Sequence, residues 1–508
     1  MSKSQPNILV VMYDQMTAGA LRAYGNPTSI TPTIDRIAQE AVVFDAAYSN
    51  SPLCTPARYC FMTGQMPSKT GGYDNAAYLP STIPTFAHYL RLGGYRTILS
   101  GKMHFVGPDQ LHGFEERRTT DIYPADFGWT PDWQKFEERI DWWYHNMSSV
   151  TGAGVAEVTN QLLYDDEVGT NAIRALHDIA RSDDDRPFCL VASFTHPHDP
   201  YVTRQKYWDV YEGVEIDMPV TPTSPSPHPH TQRLAHVSDM ANSTITDDDI
   251  RRARRAYYGN CTYVDDWTGK ILDTVRALGL DDDTVTVVTA DHGDMLGEHG
   301  LWYKMNFFEG SSRIPMMIHA PKRFAAKRVE CPVSLVDVLP TLTELAGVAD
   351  SVRRSDGTSL LEHCHDTESD SNSSRDDATV YGEYLAEGAI APIVMIRRGQ
   401  WKFIHSPADP DQLFDLSNDP RETRNLADDT EVHDVVAAFR AEVAERWDLT
   451  ALHASVIENQ QSRMLVTKAL RSGQFTSWEW TPPRNASNEY MRNHLDLNDV
   501  ERLARWPR

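Results

Sequence analysis

The chain has 508 residues, of which 41% are hydrophobic, and its formal net charge is −24. This length exceeds that of one small domain, so we expect two domains of unequal size. The negative charge argues against a protein that coats nucleic acid or anionic lipid by counterion release, although a small anion could still bind in a locally basic pocket.

The sequence contains no recognisable targeting or membrane-spanning segment. The first six residues are polar, and the apolar run after them is too short for a signal peptide. No apolar run approaches the length of a transmembrane helix, and the six cysteines show no CxxC spacing, which indicates reduced thiols rather than a disulfide framework. We therefore expect a cytoplasmic protein with neither a membrane nor a nucleic-acid partner.

The first predicted element is a strand over residues 7–12. Its apolar run is typical of a strand that is buried on both faces in a parallel sheet. Asp14 and Gln15 follow at its carboxyl end, where open α/β sheets usually bind their ligands. An isolated aspartate in this position could equally cap a helix or a turn.

The stretch 51–64 contains a Cys54-x-Pro56-x-Arg58 pattern. Its prolines predict a loop that leads into a helix beginning near Ala57. Cys54 would then lie just ahead of the helix, where free backbone N–H groups favour an anion or a developing negative charge. Arg58 could bind the same anion or brace the loop. The simpler interpretation of the cysteine alone is a buried thiol before a helix.

Helical spacing predicts helices over residues 33–41 and 86–92, and a strand follows over 95–100. That strand leads to Lys102 and His104, which are separated by one residue. In an extended segment both side chains would point to one side, where a cation and an imidazole suit anion binding and proton transfer. Such a pair is weak evidence by itself.

Two further apolar runs, 188–194 and 285–289, predict buried strands. The polar residues that follow them are His196, His198, Asp199, Asp291 and His292, and Lys304 lies further along. Because strands alternate with helices, we predict an α/β fold with a large, mainly parallel sheet flanked by helices. The polar residues at the strand ends could therefore converge on one edge of this sheet.

We divide the chain into four parts by composition. Residues 1–350 form the predicted catalytic α/β domain, and 351–378, rich in Ser, Asp and Arg, form a linker or surface excursion. Short strands and a helix predict a smaller C-terminal α+β domain at 379–450. Residues 451–508 comprise a helix and an extended C-terminal tail that could form oligomer contacts.

These segments resemble, over essentially the whole chain, the type I sulfatases of the alkaline-phosphatase-like superfamily. The N-terminal strand with Asp14, the CxPxR loop, the GKMH segment at 101–104 and the DHG segment at 291–293 occur in the order typical of that family. Ala57 replaces the serine that the family prefers. Residues 100–115, 121–131, 140–145 and 490–494 resemble the choline sulfatases in particular.

The resemblance implies conversion of Cys54 to formylglycine by a separate maturation enzyme. The hydrated aldehyde is a gem-diol, in which one hydroxyl attacks sulfur and the other later expels sulfate. The resemblance further implies that Asp14, Gln15, Cys54, Asp291 and His292 form a metal site. Calcium is the expected ion, and magnesium or manganese are alternatives because Gln15 and His292 replace the commoner hard oxygen ligands.

The resemblance also implies roles for further side chains. The expected catalytic residues are Cys54, Arg58, Lys102, His104, His196 and Lys304. Arg58 would brace the formylglycine, and Lys102 and Lys304 would bind sulfate oxygens. His104 would accept or donate the proton of the gem-diol. His196 would contact the leaving side, with His198 as the competing choice.

The implied reaction is the hydrolysis of choline-O-sulfate to choline and sulfate. A quaternary ammonium offers no hydrogen-bond donor, so aromatic faces and carboxylates must recognise it. The candidate substrate-binding residues are Asn75, Trp129, His145 and Glu387, although a single tryptophan is commonly explained by core packing. Alternatives are another aryl or alkyl sulfatase, a phosphonate monoester or phosphodiester hydrolase, and a non-catalytic protein that binds small anions or quaternary amines.

We expect three kinds of partner: a small sulfate ester, the maturation enzyme, and further copies of this chain in a dimer or tetramer. Asp496, Asn498 and Asp499 in the polar tail could close a pocket, including one of a neighbouring subunit.

Overall fold

The computed structural model describes residues 5–140, 143–365, 378–483 and 496–505. The strands, in chain order, are β1 (Asn7–Asp14), β2 (Val42–Phe44), β3 (Ala47–Tyr48), β4 (Arg96–Gly101), β5 (Glu116–Arg117), β6 (Gly154–Val155), β7 (Phe188–Pro197), β8 (Val202–Thr203), β9 (Thr284–Ala290), β10 (Arg313–Ile314), β11 (Met316–His319), β12 (Lys327–Val329), β13 (Val333–Ser334), β14 (Thr379–Tyr384), β15 (Ile393–Arg398), β16 (Trp401–Ser406) and β17 (Asp409–Asp415).

The α-helices are α1 (Pro32–Glu40), α2 (Cys54–Thr63), α3 (Pro67–Thr70), α4 (Phe86–Leu92), α5 (Ser148–Thr151), α6 (Asn160–Arg181), α7 (Gln205–Asp209), α8 (Pro229–Val237), α9 (Asp247–Ala277), α10 (Glu309–Ser312), α11 (Val338–Leu345), α12 (Leu361–Cys364), α13 (His433–Arg446), α14 (Leu449–Leu470) and α15 (Leu497–Ala504). Short 3₁₀ turns lie at Ala18–Ala20, Arg22–Tyr24, Trp133–Lys135, Asp281–Asp283, Glu298–Gly300, Leu335–Asp337, Ala349–Ser351 and Thr430–Val432.

Within the described residues, the main sheet has eight strands in the order β12-β2-β11-β9-β1-β7-β4-β5. The strand β1 pairs in parallel with β7 and β9, and β4 pairs in parallel with β7 and β5, whereas β11 runs antiparallel to β9. Every residue of β1 is buried, as its unbroken apolar run requires. The predicted α/β fold with a mainly parallel sheet is confirmed.

The parallel strands bring their carboxyl ends to one edge of the sheet. Asp14 ends β1, Gly101 ends β4 just before Lys102, and Pro197 ends β7. Asp291 directly follows β9. Residues far apart in sequence therefore meet at this edge, as expected for an open α/β sheet.

The strands β14 to β17 form a separate antiparallel sheet in sequential order. Its buried side chains pack against Val436, Phe439 and Val443 of α13 in a second hydrophobic core. A smaller C-terminal α+β unit is thus present. The boundaries at 350, 378 and 450 remain predictions, and residues 366–377 of the expected linker lie outside the described residues.

The helix α2 begins earlier than we predicted from the sequence. Cys54, and not a residue near Ala57, is the first residue of α2, because Leu53 adopts an extended conformation (φ −156°, ψ 144°) at the N-cap. Pro56 is tolerated at the third helical position, where its missing N–H would have had no intrahelical partner. Cys54 consequently lies within the first turn of the helix.

The described part of the C-terminal tail extends to Pro483 and also includes residues 496–505 with α15. Asp496 caps α15 by accepting hydrogen bonds from the backbone N–H groups of Asn498 and Asp499, and all three residues are exposed. The sequence match at 490–494 and residues 141–142 of the match at 140–145 lie outside the described residues. Among the helices that are described, none has the length and apolar character needed to cross a bilayer.

Candidate active site

A cavity of about 310 Å³ lies beside the carboxyl ends of the central strands. It has a polar end that contains Cys54 and Lys304, and a wall of aromatic side chains. Its lining residues are Cys54, Asn75, Tyr123, Trp129, Trp143, Tyr144, His145, Asn146, Ser149, Gln161, His198, Asp199, Pro200, Val237, Lys304 and Glu387. Six of the predicted site residues therefore share this cavity.

Cys54 belongs to a buried cluster of potential metal ligands with Asp14, Asp291 and His292. One ligand atom of each residue lies within 4.8 Å of the others. The Cys54 Sγ atom is 3.3 Å from His292 Nε2 and 3.8 Å from Asp14 Oδ1. The sheet edge and the start of α2 thus bring together four of the five predicted metal ligands.

Arg58 holds the two carboxylates of this cluster from behind. Its Nε atom donates to Asp291 Oδ2 at 2.9 Å, and its Nη2 atom donates to Asp14 Oδ2 at 3.0 Å. Its Nη1 atom donates to the backbone oxygen of Lys102 and to Ser193 Oγ. Arg58 lies one helical turn after Cys54 and is fully buried, so it braces the carboxylates and lies outside the cavity lining.

The cluster has a pronounced electrostatic asymmetry. Burial alone would raise the pKa of the Asp14 carboxyl, but the charges of Lys102 and Arg58 hold it well below its usual range. Burial and the neighbouring charge of Asp14 raise the pKa of the Cys54 thiol to about 12. An unmodified Cys54 therefore stays neutral near pH 7 and is a poor nucleophile.

Gln15 connects the cluster to Lys304. Its Oε1 atom accepts a hydrogen bond from Lys304 Nζ at 2.6 Å, and its Nε2 atom donates to Asp294 Oδ2 at 2.6 Å. Its backbone N–H donates to Asp291 Oδ1. The amide of Gln15 thus orients the ammonium group of Lys304, and its expected role as a metal ligand stays a prediction.

The structure brings His198, and not His196, to the cavity. His198 Nδ1 donates to the backbone oxygen of Asp199 at 2.6 Å, so Nε2 is free to accept from Lys304 Nζ at 2.8 Å. Burial, together with the charge of Lys304, places the pKa of His198 well below its usual value. His196 was expected at the leaving side, but Asp165 binds both its backbone N–H and its Nδ1 atom and holds the ring against the helix layer.

Lys102 and His104 lie beneath the aromatic wall. Lys102 forms an ion pair with Asp14, and its Nζ atom is 4.2 Å from the centre of the Tyr123 ring. The His104 ring packs on Tyr123 and Trp129 at 5.2 and 5.9 Å. Neither residue is among those that line the cavity, and because His104 has φ 56° the segment is not extended as predicted. The roles expected for Lys102 and His104 stay predictions.

The four predicted substrate-binding residues all line the cavity. Asn75 Oδ1 accepts from the backbone N–H of Thr55 in the first turn of α2 at 3.0 Å. Trp129 stacks on Trp143 with ring centres 6.0 Å apart, and His145 stacks on Tyr303 at 4.4 Å. The sequence reasoning did not single out Tyr123, Trp143 and Tyr144, although the density of aromatic residues in this stretch was a usable signal.

Glu387 carries a carboxyl group that its surroundings leave unmatched. The residue is 4% exposed, and its Oε2 atom has no hydrogen-bond partner among the described residues. Burial, with a contribution from the charge of Asp74, raises the pKa of this carboxyl to about 7. Such a group favours a ligand that carries positive charge.

Comparison with known proteins agrees with this geometry. Residues 6–348 match the family model described as Sulfatase, residues 297–448 match N-sulphoglucosamine sulphohydrolase, C-terminal, and residues 454–506 match Choline sulfatase enzyme C terminal. A choline-sulfatase of Rhizobium meliloti (strain 1021) is 49% identical over 519 residues that span the whole of both chains.

More distant relatives share most of the chain. An arylsulfatase K of Danio rerio is 29% identical and covers 84% of this chain and 81% of its own. The solved structure of a phosphonate monoester hydrolase of Agrobacterium radiobacter superposes with a TM-score of 0.67 at 24% identity, over 88% of this chain and 96% of that one, and so shares the fold. The chain belongs to the sulfatase family.

Proposed function

We propose that this protein hydrolyses choline-O-sulfate to choline and sulfate. As a sulfatase it is a sulfuric ester hydrolase, so the proposal concerns the alcohol half of the substrate. The observation that carries it is the cavity beside Cys54, which combines stacked aromatic rings with the unmatched carboxyl of Glu387. The 49% identity to a choline-sulfatase over the whole chain supports the same conclusion.

A trimethylammonium group fits these two features together. It has no N–H donor, so its binding relies on aromatic faces, each worth about 0.5–2 kcal/mol, and on nearby negative charge. Trp129, Trp143 and Tyr144 supply the faces, and Glu387 supplies the charge. A neutral aryl alcohol would leave that carboxyl uncompensated in a buried site.

The buried cluster fits a divalent cation. Asp14 and Asp291 offer carboxylate oxygens, His292 offers an imidazole nitrogen, and Cys54 offers its side chain. Calcium suits the carboxylates, and so do the alternatives magnesium and manganese, whereas the imidazole nitrogen is a softer ligand than these hard ions prefer. A cation held there would act as a Lewis acid that stabilises the charge developing on the sulfate oxygens.

The position of Cys54 suits the formylglycine that sulfatases carry. Without a bound cation its thiol is neutral near pH 7, which leaves an unmodified Cys54 without a good nucleophile. After conversion by a maturation enzyme, the hydrated aldehyde would supply one hydroxyl for attack on sulfur and a second for the release of sulfate.

The remaining residues would bind the sulfate ester, hold a proton beside it and fix the carboxylates of the cluster. The ammonium group of Lys304, which donates a hydrogen bond to Gln15, lies at the cavity and would bind sulfate oxygens there. His198 carries a lone pair at Nε2 and shares a hydrogen bond with Lys304, so the pair can hold or transfer a proton beside the reacting ester. Arg58 keeps Asp14 and Asp291 in place, and Lys102 neutralises Asp14 from the other side.

Steady-state kinetics on three substrates test this proposal. The protein is produced together with a formylglycine-generating enzyme, and mass spectrometry of the Cys54 peptide measures the conversion. One comparison substrate is a sulfate ester of an uncharged aryl alcohol, called the neutral aryl sulfate below, and the other is a phosphonate monoester. We expect kcat/KM for choline-O-sulfate to exceed the value for each of them by at least about tenfold. Equal or better turnover of either comparison substrate by converted protein would overturn the choline assignment.

Two further proposals concern assembly and location. We propose a dimer or tetramer, which light scattering coupled to gel filtration would measure, and a cytoplasmic location. A monomer at micromolar concentration would contradict the first of these.

A further inference from the structure

The helix α14 sends two buried polar side chains toward the walls of the cavity. Arg463 is 4% exposed and Gln460 is 1% exposed, although the helix itself runs along the surface. Neither residue lines the cavity. Both act on residues that do, or on their direct neighbours in the chain.

Arg463 connects two of the cavity walls. Its Nη1 and Nη2 atoms donate to Asp74 Oδ1 and Oδ2 at 2.6 and 2.5 Å, a bidentate pair in which the aspartate is fully buried. Nη1 also donates to Thr130 Oγ1 at 3.2 Å. Asp74 directly precedes Asn75, and Thr130 directly follows Trp129, so one guanidinium fixes the backbone beside two cavity-lining residues.

Gln460 is connected to the side of the cavity that carries Glu387 by two hydrogen bonds through Trp133. Its Oε1 atom accepts from the backbone N–H of Trp133 at 3.0 Å, and Trp133 Nε1 donates to the backbone oxygen of Ala386 at 2.9 Å. Ala386 precedes Glu387. The same helix thus supports the carboxylate side of the cavity as well as its aromatic and amide sides.

The support comes from a part of the chain beyond the general sulfatase match. The Sulfatase family model ends at residue 348, whereas Gln460 and Arg463 lie within 454–506, which matches the choline sulfatase C-terminal model. Of the lining residues beside this support, Trp129 and Glu387 belong to the part of the cavity that would hold the alcohol, and Asn75 contacts the backbone of Thr55. None of them is in the cluster of Asp14, Cys54, Asp291 and His292.

We propose that Arg463 is a positioning residue that sets selectivity for the cationic alcohol by holding Asp74–Asn75 and Trp129–Thr130 on two sides of the cavity. The inference rests on the proposed function. Planar, bidentate pairing fixes both the distance and the orientation of Asp74, which a lysine ammonium cannot do. Loss of the pair also leaves the Asp74 carboxylate buried without its charged partner, directly beside Asn75 in the chain.

The test separates binding of the alcohol from the chemistry at sulfur. In Arg463→Met we expect KM for choline-O-sulfate to rise about 10- to 100-fold, while kcat and the KM for a neutral aryl sulfate stay within about threefold of wild type. Arg463→Lys keeps the positive charge but loses the bidentate hydrogen bonding of the guanidinium, so we expect a smaller rise in the KM for choline-O-sulfate. The double variant Asp74→Asn/Arg463→Met removes both charges and should recover part of the loss.

Arg398→Met is the matched control. It breaks another bidentate pair, between Arg398 and Glu442 at 2.8 and 2.7 Å, that lies outside the cavity lining, and it should leave both KM values unchanged. Equal losses on the two substrates, or no change in either, would overturn the inference. If Arg463→Met does not fold, the same comparison with Arg463→Lys decides. Wild-type protein that fails to hydrolyse choline-O-sulfate would instead refute the proposed function.

Discussion

The buried carboxyl of Glu387 should lower the free energy of unfolding when it is ionised, while its negative charge favours binding of a cationic substrate. Burial, with the added charge of Asp74, raises its pKa from 4.5 to about 7. Each pKa unit corresponds to about 1.4 kcal/mol, so ionised Glu387 costs the folded state roughly 3 kcal/mol. Replacing it with glutamine should remove this cost together with the attraction for choline.

The sign of the pH dependence follows from proton binding. Between pH 4.5 and about 7 the folded protein keeps the Glu387 proton, whereas the unfolded chain releases it. The cost is therefore absent below pH 4.5 and complete above about pH 7. Relative to wild type, the free energy of unfolding of Glu387→Gln should rise by about 3 kcal/mol across this window. The desolvation of the glutamine amide adds an offset that is independent of pH.

Urea unfolding of both proteins at a series of pH values measures this difference. Substrate kinetics on the same samples should give a KM for choline-O-sulfate that is about 10- to 100-fold higher in the variant, with the KM for a neutral aryl sulfate nearly unchanged. Glu383→Gln is the control for the kinetics, because Glu383 is also buried but is hydrogen-bonded by Ser68 and Trp447 outside the cavity lining, so the KM for choline-O-sulfate should not change. Burial raises the pKa of Glu383 as well, so its stability difference should have the same sign, and the pH series therefore compares wild type with Glu387→Gln. Parallel stability curves for wild type and Glu387→Gln would refute the reasoning.

Three further predictions address the same site. The value of kcat/KM for choline-O-sulfate should fall as the pH drops below about 7, because Glu387 then takes up a proton. The pH profile for a neutral aryl sulfate should not show this fall. Identical profiles for the two substrates would argue against Glu387 as the partner of the choline ammonium group. Arg58→Met leaves Asp14 and Asp291 without their shared partner and should lower the free energy of unfolding by about 3–5 kcal/mol in urea titrations, and a loss below about 1 kcal/mol would contradict the bracing role. Removal of divalent cations by a chelator should lower both the melting temperature and activity, and titration back with calcium, magnesium or manganese should identify the ion by the largest recovery of melting temperature; insensitivity to chelation would contradict the metal site.

Much of the site could be predicted from short-range patterns. The apolar run of β1 followed by Asp14, and the strand before Asp291, indicated a sheet edge because a buried parallel strand leaves its ligand-bearing residues at its carboxyl end. Cys54 and Arg58 are four residues apart, so a single helix brings them to one side. The resemblance to sulfatases added the chemical roles, which spacing alone does not specify.

Other features depended on contacts that no local pattern encodes. The choice between His196 and His198 was made by Asp165 on α6, which binds His196 and leaves His198 to meet Lys304. Gln15 became a partner of Lys304 because two loops that are 289 residues apart in sequence meet at the sheet edge.

The sequence by itself thus determined the sheet, its functional edge and the presence of helix α2, although not its start at Cys54, since these follow from periodicity and from residues within one turn or strand. The tertiary structure alone decided which side chains face the cavity. Arg463 binds Asp74 across 389 residues, and Glu387 becomes a buried, unmatched carboxyl only after several elements have closed around it. Burial and partner choice are properties of the packed chain, and they decide which charged groups face the cavity.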